Sequence, residues 1–321
     1  MMEGWLRVCQ RVTPCSKFYE ELSLKLKIMV KKKVFKVVGL GEVLWDMLPS
    51  GRELGGAPAN FTYHAAQLGA DATLISAIGN DKFGQEAAAL LKQKRVNHLL
   101  YASSKATGTV EVTLKEGIPF YDIKANVAWD DLVIIPQMAA AVAAADAICF
   151  GTLAQRGDMS RNSIRELLEM APVDCLLVFD INLRPHFYSR EIIEESLFYA
   201  NILKINEDEL VVLSEMFGLA GSPTDRCNAL LTGFGLAMVV LTLGANGSYL
   251  FAGKGKSFLA APKVAVADTV GAGDAFTAVL VDGVLREQKL AEIHRQAVTL
   301  SAFVCTQKGA MPIYPKELRL Q

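Results

Sequence analysis

Residues 268–276 read DTVGAGDAF, and the placing of Gly271, Gly273 and Asp274 suits one kind of chemistry. Two glycines one residue apart let the backbone turn sharply and bring bare N–H groups close to a ligand. An apolar, strand-like run at 263–267 precedes the string, and a helical run at 275–285 follows it. At a helix start, such amides and the positive end of the macrodipole form an anion site. A carboxylate there would repel the anion it sits beside. The cost makes sense if Asp274 removes a proton from a hydroxyl, which then attacks a phosphate held by the amides of Gly271, Ala272 and Gly273. A tight turn with an N-capping Asp would give the same short pattern.

Other stretches carry chemistry of the same kind. Asp46 lies just beyond the first strand, where a carboxylate could accept from two adjacent hydroxyls, or simply face solvent in a turn. Residues 39–46, GLGEVLWD, begin like a dinucleotide fingerprint but lack its third glycine. Residues 55–60, GGAPAN, offer close backbone approach at Gly55 and Gly56, and both a donor and an acceptor on Asn60. Residues 79–84, GNDKFG, read as a structural turn from strand to helix. In DINLRP, 180–185, Arg184 could hold a sugar or a phosphate, or close a surface ion pair. Residues 206–209, NEDE, open a helix, where acids also complement the dipole. A glycine loop, TLGANG at 242–247, ends a later strand. No GxxxxGK[ST] occurs, which excludes a Walker-type ATPase.

The string DTVGAGD resembles the second signature of the PfkB, or ribokinase-like, family of sugar kinases, and GGAPAN resembles the first. GNDKFG matches the family's G-x-D-x-x-G, and the resemblance runs from about Lys36 to Pro315. It implies a three-layer α/β/α fold with a mostly parallel central sheet and a small β lid, built from about 44–56 and 107–126. It implies an ATP-dependent kinase acting on a primary hydroxyl, with Asp274 as base and the 271–273 turn as anion hole. Asp46, Gly55, Gly56, Asn60 and Arg184 would then place the sugar, and Asn206, Thr242, Gly244, Gly247 and Gly273 the nucleotide. Glu209, in an N-x-x-E like the family's, would order the waters of Mg²⁺. Asp268 and Gly309 resemble the monovalent-cation (K⁺) loop of ribokinase-like members, although Asp268 could equally be a turn former. The string around Arg184 resembles the fructokinase branch, and Ala57 stands where ribokinase-like members carry Lys, leaving room for a hexose. Fructose is the favoured substrate. The segment 121–126 lacks the arginine many fructokinases carry, so ribose and 2-keto-3-deoxygluconate stay open. A non-catalytic sugar- or nucleotide-binding relative would be expected to lose part of GAGD, which is intact here.

The elements that must position these residues follow an α/β rhythm. Strands are expected at 34–41, 73–78, 147–150, 176–181, 203–205, 238–243 and 248–252, alternating with helices, the signature of βαβ units. Residues 107–114 and 120–124 break the rhythm as an antiparallel hairpin that belongs off the main sheet. Ile118, Phe120 and Tyr121 near its turn would have reason to be covered by sugar or by a partner subunit, which suggests a homodimer through the lid. With 321 residues, 51% hydrophobic and 21% charged, the chain has ample core, and a net charge of −1 leaves no footprint for nucleic acid or anionic membrane. No run is long and apolar enough to span a bilayer. Scattered cysteines without CxxC, three of them (Cys149, Cys175 and Cys305) in apolar runs, read as buried thiols in a reducing cytoplasm. Residues 1–33 fit no part of the pattern and are expected to be an extension outside the fold, either upstream sequence or a misplaced start.

Overall fold

Strands β1 (Lys36–Leu40), β4 (Asp71–Gly79) and β5 (Asn97–Ser103) form one arm of a nine-stranded sheet. The other arm is β8 (Ala147–Phe150), β9 (Leu176–Asp180), β10 (Ile202–Asn206), β11 (Met238–Thr242), β12 (Ser248–Ala252) and β13 (Gly255–Leu259). The order is β13-β12-β11-β10-β9-β8-β1-β4-β5, parallel except where β12 pairs β11 and β13. The computed structural model describes residues 33–49, 51–115, 118–253 and 255–318, without the side chains of 112–115 and 118–121. The expectation for 1–33 therefore lies outside the described residues save Lys33, as do the side chains of Ile118, Phe120 and Tyr121.

Alternation along the strands sends side chains to two faces, and each face is roofed by helices. On one, Val38, Leu40, Ile148, Phe150, Phe179, Leu203 and Leu241 pack with Met138, Leu167, Leu197, Leu213 and Leu230. These come from α3 (Pro136–Ala143), α4 (Asp158–Glu169), α5 (Arg190–Tyr199), α6 (Glu207–Phe217) and α7 (Pro223–Gly233). On the other, Val37, Cys149, Val178 and Val240 meet Phe61, Phe276, Val279 and Leu300. Those lie on α1 (Ala57–Gln67), α8 (Ala272–Leu285) and α9 (Leu290–Cys305). The result is the expected three-layer α/β/α architecture. Among the described residues no helix is long and apolar enough to cross a membrane.

A second sheet, ordered β3-β2-β6-β7, joins β2 (Leu44–Leu48) and β3 (Gly51–Gly55) to the hairpin β6 (Gly108–Lys115) and β7 (Ile118–Ile123). It is separate from the main sheet, as the break in rhythm implied. The GNDKFG turn roots it. Asp81 caps α2 (Lys82–Gln93) by accepting from Gly84 N at 2.8 Å, and also accepts from Thr107 N at 2.8 Å, just before β6.

One expected strand does not form. Residues 263–267 are irregular and exposed, Val266 at 62%, and join neither sheet among the described residues. Cys149 and Cys175 are buried as expected, whereas Cys305 is only partly so.

Candidate active site

The chain moves outward from β1 to β4 and β5, then returns to place β8 on the other side of β1. That reversal is a topological switch point, and ligands of open α/β sheets bind beyond the carboxyl ends of strands at such a point. A narrow cleft opens there, lined by Glu42, Pro58, Gly151, Asp180, Asn182 and Asp274 among others.

Asp274 occupies the first turn of α8, whose N-cap Gly271 adopts φ +79°. A β-carbon at Gly271 would sit 2.5 Å from the Ala310 carbonyl oxygen, so both conformation and space demand glycine. The 307–311 segment that closes on this turn is fixed from below. His64 Nε2 lies 3.0 Å from Ala310 O, and Tyr314 Oη meets His64 Nδ1. A carbonyl only accepts, so Nε2 carries the proton and Nδ1 accepts from Tyr314. Burial pushes the His64 imidazolium down to about 3, which keeps the ring neutral.

Asn60, in the first turn of α1, donates from Nδ2 to Asp274 Oδ2 at 2.8 Å. Its Oδ1 is buried without a partner among the described residues. Gly56 caps α1 at φ +108°, and a β-carbon there would lie 2.5 Å from Glu42 O. The Asp274 carboxyl is pushed up to about 7, first by desolvation and then by the nearby Asp180 charge. Glu42, 3% exposed, is also raised to about 7 by burial. Asp46 in β2 lies against Gly55, 2.2 Å from where its β-carbon would be, and burial raises it to about 6 while Arg184 pulls it down. Arg184 donates to Asn182 Oδ1 at 2.8 Å, in a loop where Asn182 takes φ +41°. Its charge acts on Glu42, Asp46 and Asp274 alike.

Two residues beneath this site were not picked out from the sequence. Lys204, inside β10, donates to Asp180 Oδ1 at 2.9 Å and Oδ2 at 2.8 Å. Burial alone would depress its ammonium, but Asp180 outweighs that and the net shift is upward. Thr277 of α8 donates to Asp180 Oδ2 at 2.9 Å, so the pair braces the helix that carries Asp274. A β-carbon at Gly273 would come 3.4 Å from Lys204 Nζ, so the ammonium lies just below the glycine turn. A lysine in the otherwise apolar run ILKIN was the available signal.

The nucleotide-side candidates gather at the ends of β10 and β11. Asn206 and Thr242 are paired across the two strands. Asn206 Oδ1 accepts from Glu209 N at 2.9 Å while Glu209 Oε2 accepts from Asn206 N at 2.8 Å, a capping box for α6. Glu209 Oε1 accepts from Leu183 N at 2.9 Å, which ties this turn to the Arg184 loop. Thr242 donates to Ile205 O at 3.3 Å, and Gly244 has open space around it, whereas Gly247 abuts the Leu259 carbonyl. Asp268 and Gly309 meet, Gly309 N donating to Asp268 Oδ2 at 3.1 Å, and Glu53 lies next to Gly309. Among the described residues no cluster of three or more His, Cys, Asp or Glu side chains is arranged to hold a metal.

The pattern of the pfkB family of carbohydrate kinases matches residues 50–317. A fructokinase of Klebsiella pneumoniae is 30% identical over 309 residues, covering 89% of this chain and 98% of that one. Fructokinase-1 of rice, Oryza sativa, is 28% identical over 313 residues, covering 88% and 95%. Among solved structures, a sugar kinase of Pyrococcus horikoshii in complex with ATP superposes with a TM-score of 0.74 at 26% identity, over 86% of this chain and 94% of that one. With the glycine turn and the helix that carries Asp274 in the matched region, this chain belongs to the pfkB family of carbohydrate kinases.

Proposed function

We propose that the protein transfers the γ-phosphoryl group of ATP to a primary hydroxyl of a sugar, with fructose the preferred acceptor. The observation that carries this reading is Asp274: a carboxyl at the N-terminus of α8, beside the 271–273 amides, hydrogen-bonded by Asn60 and raised to about 7. A base poised near the working pH balances proton affinity against availability. The sugar O–H proton passes to Asp274, the freed oxygen forms the new P–O bond, and the bond from γ-phosphorus to the β–γ bridging oxygen breaks, ADP leaving with the electron pair. The amides of Gly271, Ala272 and Gly273, with the Lys204 ammonium below, would face the charge that collects on the phosphoryl oxygens.

Asp46, Gly55, Gly56, Asn60 and Arg184 would position the sugar, and Asn206, Thr242, Gly244 and Gly247 the nucleotide. Glu209 would order the water shell of magnesium with the lone pairs its two amide donors leave free. Asp268 and Gly309, already joined, would shape a loop whose carbonyls could take K⁺. The four-stranded sheet bearing Asp46 would cover the sugar as a lid and offer a homodimer contact. Two fructokinases among the relatives support fructose, as does Ala57 on the cleft wall. A coupled ADP-release assay should give fructose a kcat/KM at least ~10-fold above ribose and 2-keto-3-deoxygluconate, about 1.4 kcal/mol in transition-state stabilisation. A lead for either competitor would sink the fructose assignment, and ADP release with no sugar at all would sink the kinase.

A further inference from the structure

Glu42 follows β1 at the switch point, 3% exposed, and no candidate role covers it. Its immediate work is structural. The amides of Glu42 itself and of Ala57 stabilise its charge, and Ala57 is the first residue of α1. The N-cap of that helix is Gly56, which has no side chain to offer, so the Glu42 carboxyl, whose backbone lies against Gly56, supplies the missing cap.

That accounts for one oxygen. The other, Oε2, is fully buried and has no hydrogen-bond partner among the described residues. Pro58, Phe61, Phe150 and Leu153 give the cleft apolar walls, the Thr152 hydroxyl on its lining is spent on Ile181 O at 2.7 Å, and no side chain on the lining donates to Oε2. Asp274 lines the same cleft, and Asn60, its hydrogen-bond partner, has a second orphaned acceptor, Oδ1. Two buried acceptors left open around one base are complementary to a ligand that brings several O–H donors. A polyol does so, whereas a nucleotide phosphate brings only acceptors.

We propose that Glu42 Oε2 reads the substrate directly, taking a hydrogen bond from a sugar hydroxyl other than the one Asp274 deprotonates. This rests on the sugar-kinase reading and adds a specificity residue to it. As a carboxylate oxygen Oε2 takes a charge-assisted bond from a hydroxyl that donates, and an ether, a methyl or a phosphate brings it no proton.

Glu42→Gln tests this. The Ala57 amide can only donate, so the new side chain must turn its carbonyl toward the helix and present its NH₂ to the cleft. The substitution keeps the cap and converts an acceptor into a donor at the one place that matters. The measurement is kcat/KM for the best sugar of the coupled assay and for each of its singly deoxygenated analogues, in wild type and variant. Wild type should reject one analogue by at least ~10-fold, as a site built to bond a hydroxyl does. In the variant the parent sugar should fall by about that factor, and the penalty for that analogue should vanish, with KM for ATP unchanged. Every penalty surviving in the variant would confine Glu42 to capping and overturn the proposal. Should the variant fail to fold, a sugar-bound crystal structure of the wild type decides. A sugar hydroxyl within about 3.2 Å of Oε2 supports the proposal, and a water or nothing there overturns it. If no sugar is phosphorylated by wild type, the kinase reading itself has failed, which is a different result.

Discussion

The acids around Asp274 and those at the ends of β9 and β10, Asp180 and Glu209, are of the same type, yet their oxygens are partnered differently. At the β10–α6 turn, each oxygen of Glu209 takes a backbone N–H, and Asp180 is saturated by Lys204 and Thr277. Around Asp274, Glu42 Oε2 and Asn60 Oδ1 have no hydrogen-bond partner among the described residues, while desolvation pushes up Glu42, Asp46 and Asp274 and Glu209 with them. An unsatisfied buried polar atom is costly, so a fold keeps one where a ligand will supply the partner. On the proposed reading the satisfied acids hold the frame, and the open acceptors beside Asp274 await a substrate's hydroxyls.

The sharpest way to break that contrast is at Lys204. Lys204→Met leaves Asp180 buried without its cation and should lower stability by about 3–5 kcal/mol in denaturant unfolding at neutral pH. A loss below about 1 kcal/mol would mean that the ion pair is not part of the frame.

Asp274→Asn should do the reverse, sparing the fold and the binding of sugar and ATP while lowering kcat at least ~10²-fold, about 2.7 kcal/mol. A variant keeping more than about a tenth of the wild-type rate would remove Asp274 as base. The pH profile gives an independent reading. A protonated Asp274 cannot accept the sugar proton, so wild-type kcat/KM should be flat above about 7 and fall tenfold per unit below it. An acidic limb near 4, the ordinary carboxylate range, would mean the cleft does not desolvate the base.

The smallest effect belongs to the saturated side. Asn206→Ala removes an N-cap and should cost about 1 kcal/mol of stability. If KM for ATP rises as well, the free NH₂ of Asn206 faces the nucleotide, and the turn is both frame and site.

What the sequence disclosed divides along the same line. The glycine turn and its candidate base were legible because that chemistry would need neighbours in the chain: the DTVGAGDAF string carries Gly271, Gly273 and Asp274 together. Glu42 and Lys204 act on partners far away in sequence, and each sits in an apolar run where only its charge was out of place. The 263–267 run misled because an apolar run makes a strand only where it finds a partner, and this one pairs with neither sheet among the described residues. Helix α7 was overlooked although Ser222 and Asp225 form a capping box that SPTD announces.

The bolt of His64 between Ala310 and Tyr314 bears on how the protein comes into being. A chain made only as far as residue 309 contains the segments of α1 and α8, with Asn60 and Asp274. The glycine turn of α8 then has nothing to close against, because its wall and the clamp on that wall are contributed by Ala310 and Tyr314. On the proposed reading such a chain would hold its candidate base without the wall of its phosphate cradle.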